Sequence, residues 1–322
     1  MVAAALLVIG VGALIARAAG FAEVRDAIAE ADSTWFVVCF FAQVAALAGY
    51  AAVVREALRS NDGPDPGFAL GAHVMLASIG ATRVFAAGGA GALAVTYRCF
   101  RRARLAQREA LVRVLGFNTL FYVAFGIGAS IAALLATLGV WGDAPRALTV
   151  TWLVAIPFCF AAAAFVTQAG RVEGLTAAGR SIVHRGLSYA IAGTAWVREV
   201  LPHRTGRRSL GWSLLYWVGN VTCLWAALHS VGESLPLPEL VLAFATGHAA
   251  MILPLPLGGV GGVDAAMTYS LTVVGVALAP ALVAVAVYRL FAFWVPTIPA
   301  LVALALLPRA GRELERAAAL RA

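Results

Sequence analysis

The chain has 322 residues, 62% hydrophobic and 12% charged, with a formal net charge of +8. Soluble domains are about half apolar and about a quarter charged. With a mean hydropathy of +0.88, the sequence instead describes an all-α, polytopic integral membrane protein. Every basic residue is an arginine, and the arginines flank apolar runs. That placement excludes a nucleic-acid-binding surface and points to topology signals and contacts with anionic lipid headgroups.

Taken in chain order, the first apolar run is 2–19. It lacks a basic leading region, so it reads as a retained span rather than a cleaved leader. A crossing needs about 20 apolar residues, and further runs of that kind fall at 35–54, 110–139, 147–168, 210–231 and 280–307. Two more apolar regions, 68–100 and 237–278, are interrupted by glycine-rich breaks that leave halves of only about 15 residues. The second break reads Pro-Leu-Pro-Leu-Gly-Gly-Val-Gly-Gly-Val-Asp over 254–264. Prolines and glycines interrupt a helix, and broken backbone at membrane depth is tolerated only where protein buries it or it lines a wet cavity.

The arginines set the topology. Residues 98–113 hold six of them, 171–208 seven, and the tail after 308 four, whereas 139–147 holds one and 230–240 none. The positive-inside rule places the rich connections in the cytoplasm. The expected architecture is six full transmembrane helices plus two re-entrant helical hairpins. Hairpin 68–100 enters from the cytoplasm and hairpin 237–278 from outside, and both termini are cytoplasmic. Segment 17–34 falls outside in spite of Arg17 and Arg25, which Glu23, Asp26, Glu30 and Asp32 offset.

The hairpins resemble one another. Gly88-Gly89-Ala90-Gly91 aligns with Gly258-Gly259-Val260-Gly261, Ala110-Leu111-Val112 with Ala281-Leu282-Val283, and Phe117 with Tyr288. The chain is thus expected to be a single domain over 1–322, with a first repeat at 1–140, a second at 147–308 and a tail at 309–322. Three crossings per unit make the repeats inverted, an organisation suited to alternating-access transport.

The candidate site lies at the two breaks. Asp264 follows the second glycine string and serves either a substrate or ion, or the first turn of the returning helix. Arg289 lies inside the last span, where a guanidinium must be paired or line a wet cavity, and its fork suits phosphate. Arg83 precedes the first glycines. The substrate-binding set is Arg83, Arg289, Asp264 and Tyr288, with Gly88, Gly89, Gly258, Gly259, Gly261 and Gly262 admitting close backbone approach. His73, Gln43, Asn118, Asn220, Thr246 and His248 are weaker polar candidates, expected to hydrogen-bond between helices.

Neither catalytic residues nor a metal or other cofactor is expected. The four cysteines are far apart and read as small buried hydrophobes, and no His/Cys/Glu spacing suits a metal. The glycine string does not complete a dinucleotide fingerprint and follows no strand of a βαβ unit. In 171–208, Arg180, Arg185, Arg198, Ile182, Leu187, Ile191 and Trp196 describe an amphipathic helix on the cytoplasmic surface.

The run Pro-Leu-Pro-Leu-Gly-Gly-Val-Gly-Gly-Val-Asp-Ala-Ala, then Gly275-Val276-Ala277-Leu278-Ala279-Pro280-Ala281, then Tyr288-Arg289 and an aromatic-proline span, resembles the flippase-like membrane domain of lysylphosphatidylglycerol synthases. The resemblance implies a repeat organisation of the kind described and movement of a lipid with a modified headgroup across the bacterial inner membrane. The family usually has Glu where this chain has Asp264. Its first glycine segment usually has a proline before it and an acid after it, and Ala86–Ala92 has neither. The sequence to residue 322 contains no soluble aminoacyl-transferase domain, so synthase activity is not implied. The expected function is a transporter rather than an enzyme, with phosphate-bearing or anionic membrane lipids as partners. A separate lipid-synthesis enzyme is left open as a further partner, and oligomeric state is left unassigned. The rivals are a membrane-embedded headgroup or glycosyl transferase and a non-transporting scaffold for a synthase.

Overall fold

The computed structural model describes residues 21–59, 67–85, 89–140, 144–168, 182–252 and 261–319. The expected first span at 2–19 and the Pro/Gly run up to residue 260 lie outside them. The described residues are helical, with no strand among them.

A short helix α1 (Phe21–Ala29) leads into α2 (Thr34–Arg59). Asp32 caps α2: its carboxylate accepts the Thr34 N–H at 2.9 Å, which holds that carboxyl below the usual carboxylate range. Helices α3 (Gly67–Val84) and α4 (Ala90–Arg102) fold back on each other, with Gly91 set against the carbonyl of Ala81. Then come α5 (Gln107–Thr137), α6 (Arg146–Val166), α7 (Ile182–Val200) and α8 (Arg204–Ser230). The second helical hairpin is α9 (Leu237–Ala249) with α10 (Gly262–Val273). Its arms run antiparallel, since Gly247 meets Met267 and the Ser270 hydroxyl donates to the Ala243 carbonyl at 2.7 Å. The last long helix begins as α11 (Leu278–Arg289), widens to a π turn at Leu290–Trp294 and continues as α12 (Val295–Ala305), before α13 (Leu307–Ala319).

Five helices are long and apolar enough to cross a bilayer: α2, α3, α5, α6 and the continuous 278–305 helix. Four of them coincide with expected spans. The fifth, α3, was expected as half of a hairpin. Its 18 residues make it about 27 Å long, near the thickness of the hydrocarbon core, whereas α4, α9 and α10 reach only about 20 Å. Helix α8 has the length of a span, but Arg204, Arg207 and Arg208 make its first turns polar. Helix α6 shows the membrane character most plainly. It is apolar on every side, and Val150, Val154, Phe158 and Phe165 all face outward. A helix of that kind is solvated by lipid, not water.

The centre of the molecule is the α2–α8 pair. Gly49 lies against the backbone of Trp212 and Tyr216, and Gly219 against Ala42 and Ala46, so the two helices run antiparallel at close range. Small residues permit that approach, and dispersion and interhelical hydrogen bonds stabilise it where lipid supplies no hydrophobic drive. Around this pair the packing is reciprocal. The first arm of the first hairpin, α3, packs on α12 through Gly80 and the Ala300 backbone. The first arm of the second, α9, packs on α5, where Leu242 and Ala245 meet Ala129, Ala132, Ala133 and Ala136.

The arginine-bearing ends converge. Arg113, fully buried, donates to the Ala57 and Leu58 carbonyls, capping the last turn of α2, and pairs with Glu109. Arg102 pairs with Glu315 of α13 at 3.9 Å. At the opposite end of the α2–α8 pair, the Asp32 N–H donates to the Ser230 carbonyl at 2.8 Å. Helix α7 does more than skim the surface: Gly193 and Trp196 pack into α5 at Leu115–Gly116, and Ile191 and Val197 are buried. Arg180 lies outside the described residues. Cys39, Cys99 and Cys223 are buried, while Cys159 is exposed on α6.

Candidate functional site

The site forms where α10 begins. Gly261 has φ +87, a left-handed conformation that favours glycine, and it turns the chain into the first turn of α10. There Asp264 accepts the Gly261 N–H at 3.0 Å, closing a cap on the helix N-terminus. The other carboxylate oxygen of Asp264 pairs with Nε of Arg289. Asp264 thus stands in the first turn of the returning helix, one of the two places expected for it, and also holds Arg289 as a charge partner. The side chains are 21% and 13% exposed, so the pair is mostly withdrawn from solvent.

Arg289 ends α11, and the π turn that follows carries Phe293. Widening of the helix at this place relieves a local conflict, because the Pro296 ring would crowd the Ala292 carbonyl in a regular α-helix. Such turns recur at functional sites. Phe293 is buried, and its ring receives both arginines: Cζ of Arg83 lies 3.5 Å from the ring centroid and Cζ of Arg289 lies 5.6 Å from it. Arg83 comes from the last turn of α3, where the helix dipole favours a cation, as the first turn of α10 favours the Asp264 carboxylate.

The constellation is two guanidinium groups, one carboxylate and one ring, with a formal charge of +1. Its donors are not all used. Among the described residues, Nε of Arg83 and Nη2 of Arg289 are buried without a hydrogen-bond partner. Leaving such a donor unsatisfied costs about 1–3 kcal/mol, more on a charged group. Two such guanidinium N–H groups thus lie around one ring, and Arg113 Nε is buried in the same way elsewhere.

Tyr288, next to Arg289, is buried, and its hydroxyl donates to Oδ1 of Asn220 at 3.0 Å; Gln43 Nε2 reaches the same oxygen at 3.3 Å. This network ties α2, α8 and α11 together one residue from Arg289. Of the weaker candidates, Gln43 and Asn220 thus bond between helices, as does Thr246, which accepts from Trp152 Nε1 at 2.9 Å. Asn118 donates within its own helix to Val114. His73 Nε2 is buried without a hydrogen-bond partner among the described residues. The ring of His248 stacks on Phe244 at 5.5 Å and meets Trp217 edge-on at 4.9 Å. Gly89 sits at the N-cap of α4 in ordinary helical geometry, with open space where a Cβ would be. Gly262 is the first residue of α10. Gly88, Gly258 and Gly259 lie outside the described residues.

Phe293 was not singled out from the sequence. Its only signal was membership of the aromatic-proline run after Arg289, and the π turn that aims it cannot be read from composition. No group of three or more metal-ligating side chains occurs among the described residues.

A sequence model of the family described as the Lysylphosphatidylglycerol synthase TM region matches residues 1–300. The chain belongs to this family. Comparison with curated proteins returned no match. Membership in the Lysylphosphatidylglycerol synthase TM region family accords with a multi-pass membrane protein whose role is tied to membrane lipid. The matched range includes both hairpins, Arg83, Asp264 and Arg289, so the candidate site lies wholly within the family's own region.

Proposed function

We propose that this protein is a lipid transporter of the flippase-like class, and not an enzyme, which moves a phosphate-bearing or modified-headgroup lipid across a bacterial inner membrane. The observation that carries the reading is the pair of orphaned guanidinium donors of Arg83 and Arg289 around Phe293. An arginine inside an apolar span is expensive unless it has work to do. Asp264 neutralises one of the two and leaves a net positive charge for an anionic headgroup.

In this reading the chain is two inverted repeats, with α3–α4 and α9–α10 as re-entrant hairpins, both termini cytoplasmic and the arginine-bearing ends on the cytoplasmic face. The antiparallel α2–α8 pair and the exchange of hairpin arms between halves, α3 on α12 and α9 on α5, support it. Such symmetry allows the site to open alternately to either leaflet while acyl chains stay in the bilayer. Membrane lipids are the partners, and a lipid-synthesis enzyme would supply the modified headgroup.

The test is a reconstituted assay that follows exposure of fluorescent phospholipid on the outer leaflet of proteoliposomes. Wild type is expected to accelerate exposure, with Arg289→Ala and Arg83→Ala each reducing the rate at least tenfold. Identical lipid distribution with wild type, with variants and in empty liposomes would sink transport and favour the scaffold.

A further inference from the structure

Helices α2 and α8 occupy corresponding places in the two proposed repeats. Trp35 opens the apolar part of one and Trp212 that of the other, and the same offset of 177 residues separates Gln43 from Asn220 and Ala42 from Gly219. These counterparts also touch each other. Gln43 Nε2 donates to Asn220 Oδ1 at 3.3 Å, and Gly219 is set against the Ala42 carbonyl. In an antiparallel pair related by a two-fold axis, a residue meets its own counterpart only where the axis passes. The Gln43–Asn220 bond therefore stands on the axis of the proposed repeats.

The bonds that flank the axis are unequal. The Tyr288 hydroxyl donates to the same Asn220 oxygen at 3.0 Å. Its counterpart in the first half is Phe117, which has no hydroxyl and packs against Phe100 and Phe121. Trp217 Nε1 donates to the Phe121 carbonyl at 2.8 Å, joining α8 to α5. Its counterpart, at the offset of 177 residues, is Phe40, which has no N–H. Gln43, Asn220, Trp217 and Tyr288 are all buried, so water does not replace a partner that moves away.

Alternating access between inverted repeats relates the two end conformations by exchanging the roles of the halves. The contact on the axis survives that exchange, because Gln43 and Asn220 are both carboxamides. The flanking bonds do not survive it, because their donors would have to come from Phe117 and Phe40. We infer that Tyr288 and Trp217 form a latch that favours the conformation seen over its exchange-related counterpart. The inference rests on the inverted-repeat reading above. A cargo that drives the change has to bind the second conformation more tightly by the same margin.

The test reads which side of the membrane the first hairpin tip faces. Of the four cysteines only Cys159 is exposed, so the full-length Cys159→Ala protein gives the background, with Ala90→Cys at the exposed start of α4 as reporter. A membrane-impermeant maleimide is applied to right-side-out and to inside-out vesicles, and the two reaction rates give a ratio. Tyr288→Phe deletes one oxygen and is expected to shift the ratio roughly threefold toward the slower side, the scale of one hydrogen bond between membrane helices. Trp217→Phe should shift it the same way. Phe117→Tyr supplies the missing donor and should do so as well. A merely structural hydroxyl would lower Tm and leave the ratio alone. A ratio that neither Tyr288→Phe nor Trp217→Phe moves overturns the latch, as do shifts of opposite sign. Lipid exposure is followed in the same vesicles. Lipid movement with an unmoved ratio sinks the latch alone, whereas a shifted ratio without lipid movement keeps the latch and sinks transport.

Discussion

Arg289 and Asp264 form an ion pair that joins the end of α11 to the first turn of α10. The carboxylate thus holds two things at once, the helix cap at Gly261 and the guanidinium at the centre of the site.

Asp264→Asn is expected to strand a mostly buried cation, a loss of about 3–5 kcal/mol, read as a lower Tm in detergent. The double variant Asp264→Asn/Arg289→Gln removes both charges and should recover most of that stability without recovering lipid movement. Asp264→Glu keeps the charge and the reach to Gly261, so it should retain both. A double variant as unstable as the single one would show that the pair contributes nothing beyond the cap.

Phe293 faces two cations and so has a role its neighbours lack. Phe293→Leu keeps the apolar volume and removes the π face. Loss of about 0.5–2 kcal/mol per cation should appear as a lower Tm, together with slower lipid exposure because the two guanidinium groups lose the ring that positions them. Phe293→Trp should restore the rate. Equal rates for Phe293→Leu and wild type would reduce the ring to packing.

Much of this arrangement follows from patterns with a strong physical period or cost. Apolar runs at 35–54, 110–139 and 147–168 meet their helices closely, since crossing length is dictated by the bilayer. Asp264 and Arg289 stood out because charge is rare and costly in such surroundings. What escaped depends on tertiary geometry. The length of α3 reflects how far its final turn persists before the glycines, a local balance that apolarity does not decide. Arg113 counted as one more topology arginine, yet it is buried and caps α2. No sequence pattern separates a capping arginine from a solvated one. Phe293 is aimed by a π turn whose cause, Pro296, acts three residues away.

The α2–α8 contact sets a steric limit. A Cβ on Gly219 would stand 2.5 Å from the Ala42 carbonyl oxygen, while one on Gly128 would meet open space. Gly219→Leu is therefore expected to splay the central pair and cost about 1–3 kcal/mol or more by overpacking, whereas Gly128→Ala should leave Tm unchanged or raised. Thermal unfolding of the two variants side by side checks this. Equal Tm values would mean that the helices part without cost.

The proposed topology makes opposite demands on three positions. The 139–147 and 230–240 connections carry one arginine between them, so Ala144 and Ser234 should face outward, and Arg108 at the start of α5 should face the cytoplasm. Cys39, Cys99 and Cys223 are buried and Cys159 is exposed, so Cys159→Ala gives a background suited to thiol labelling. Ala144→Cys and Ser234→Cys are expected to react with a membrane-impermeant maleimide in intact cells, and Arg108→Cys only after permeabilisation. Reaction of Arg108→Cys alone in intact cells would invert the orientation. Reaction of Ala144→Cys without Ser234→Cys would break the symmetry instead. An odd number of crossings would then separate the two positions, and the second hairpin would no longer open from the outer face.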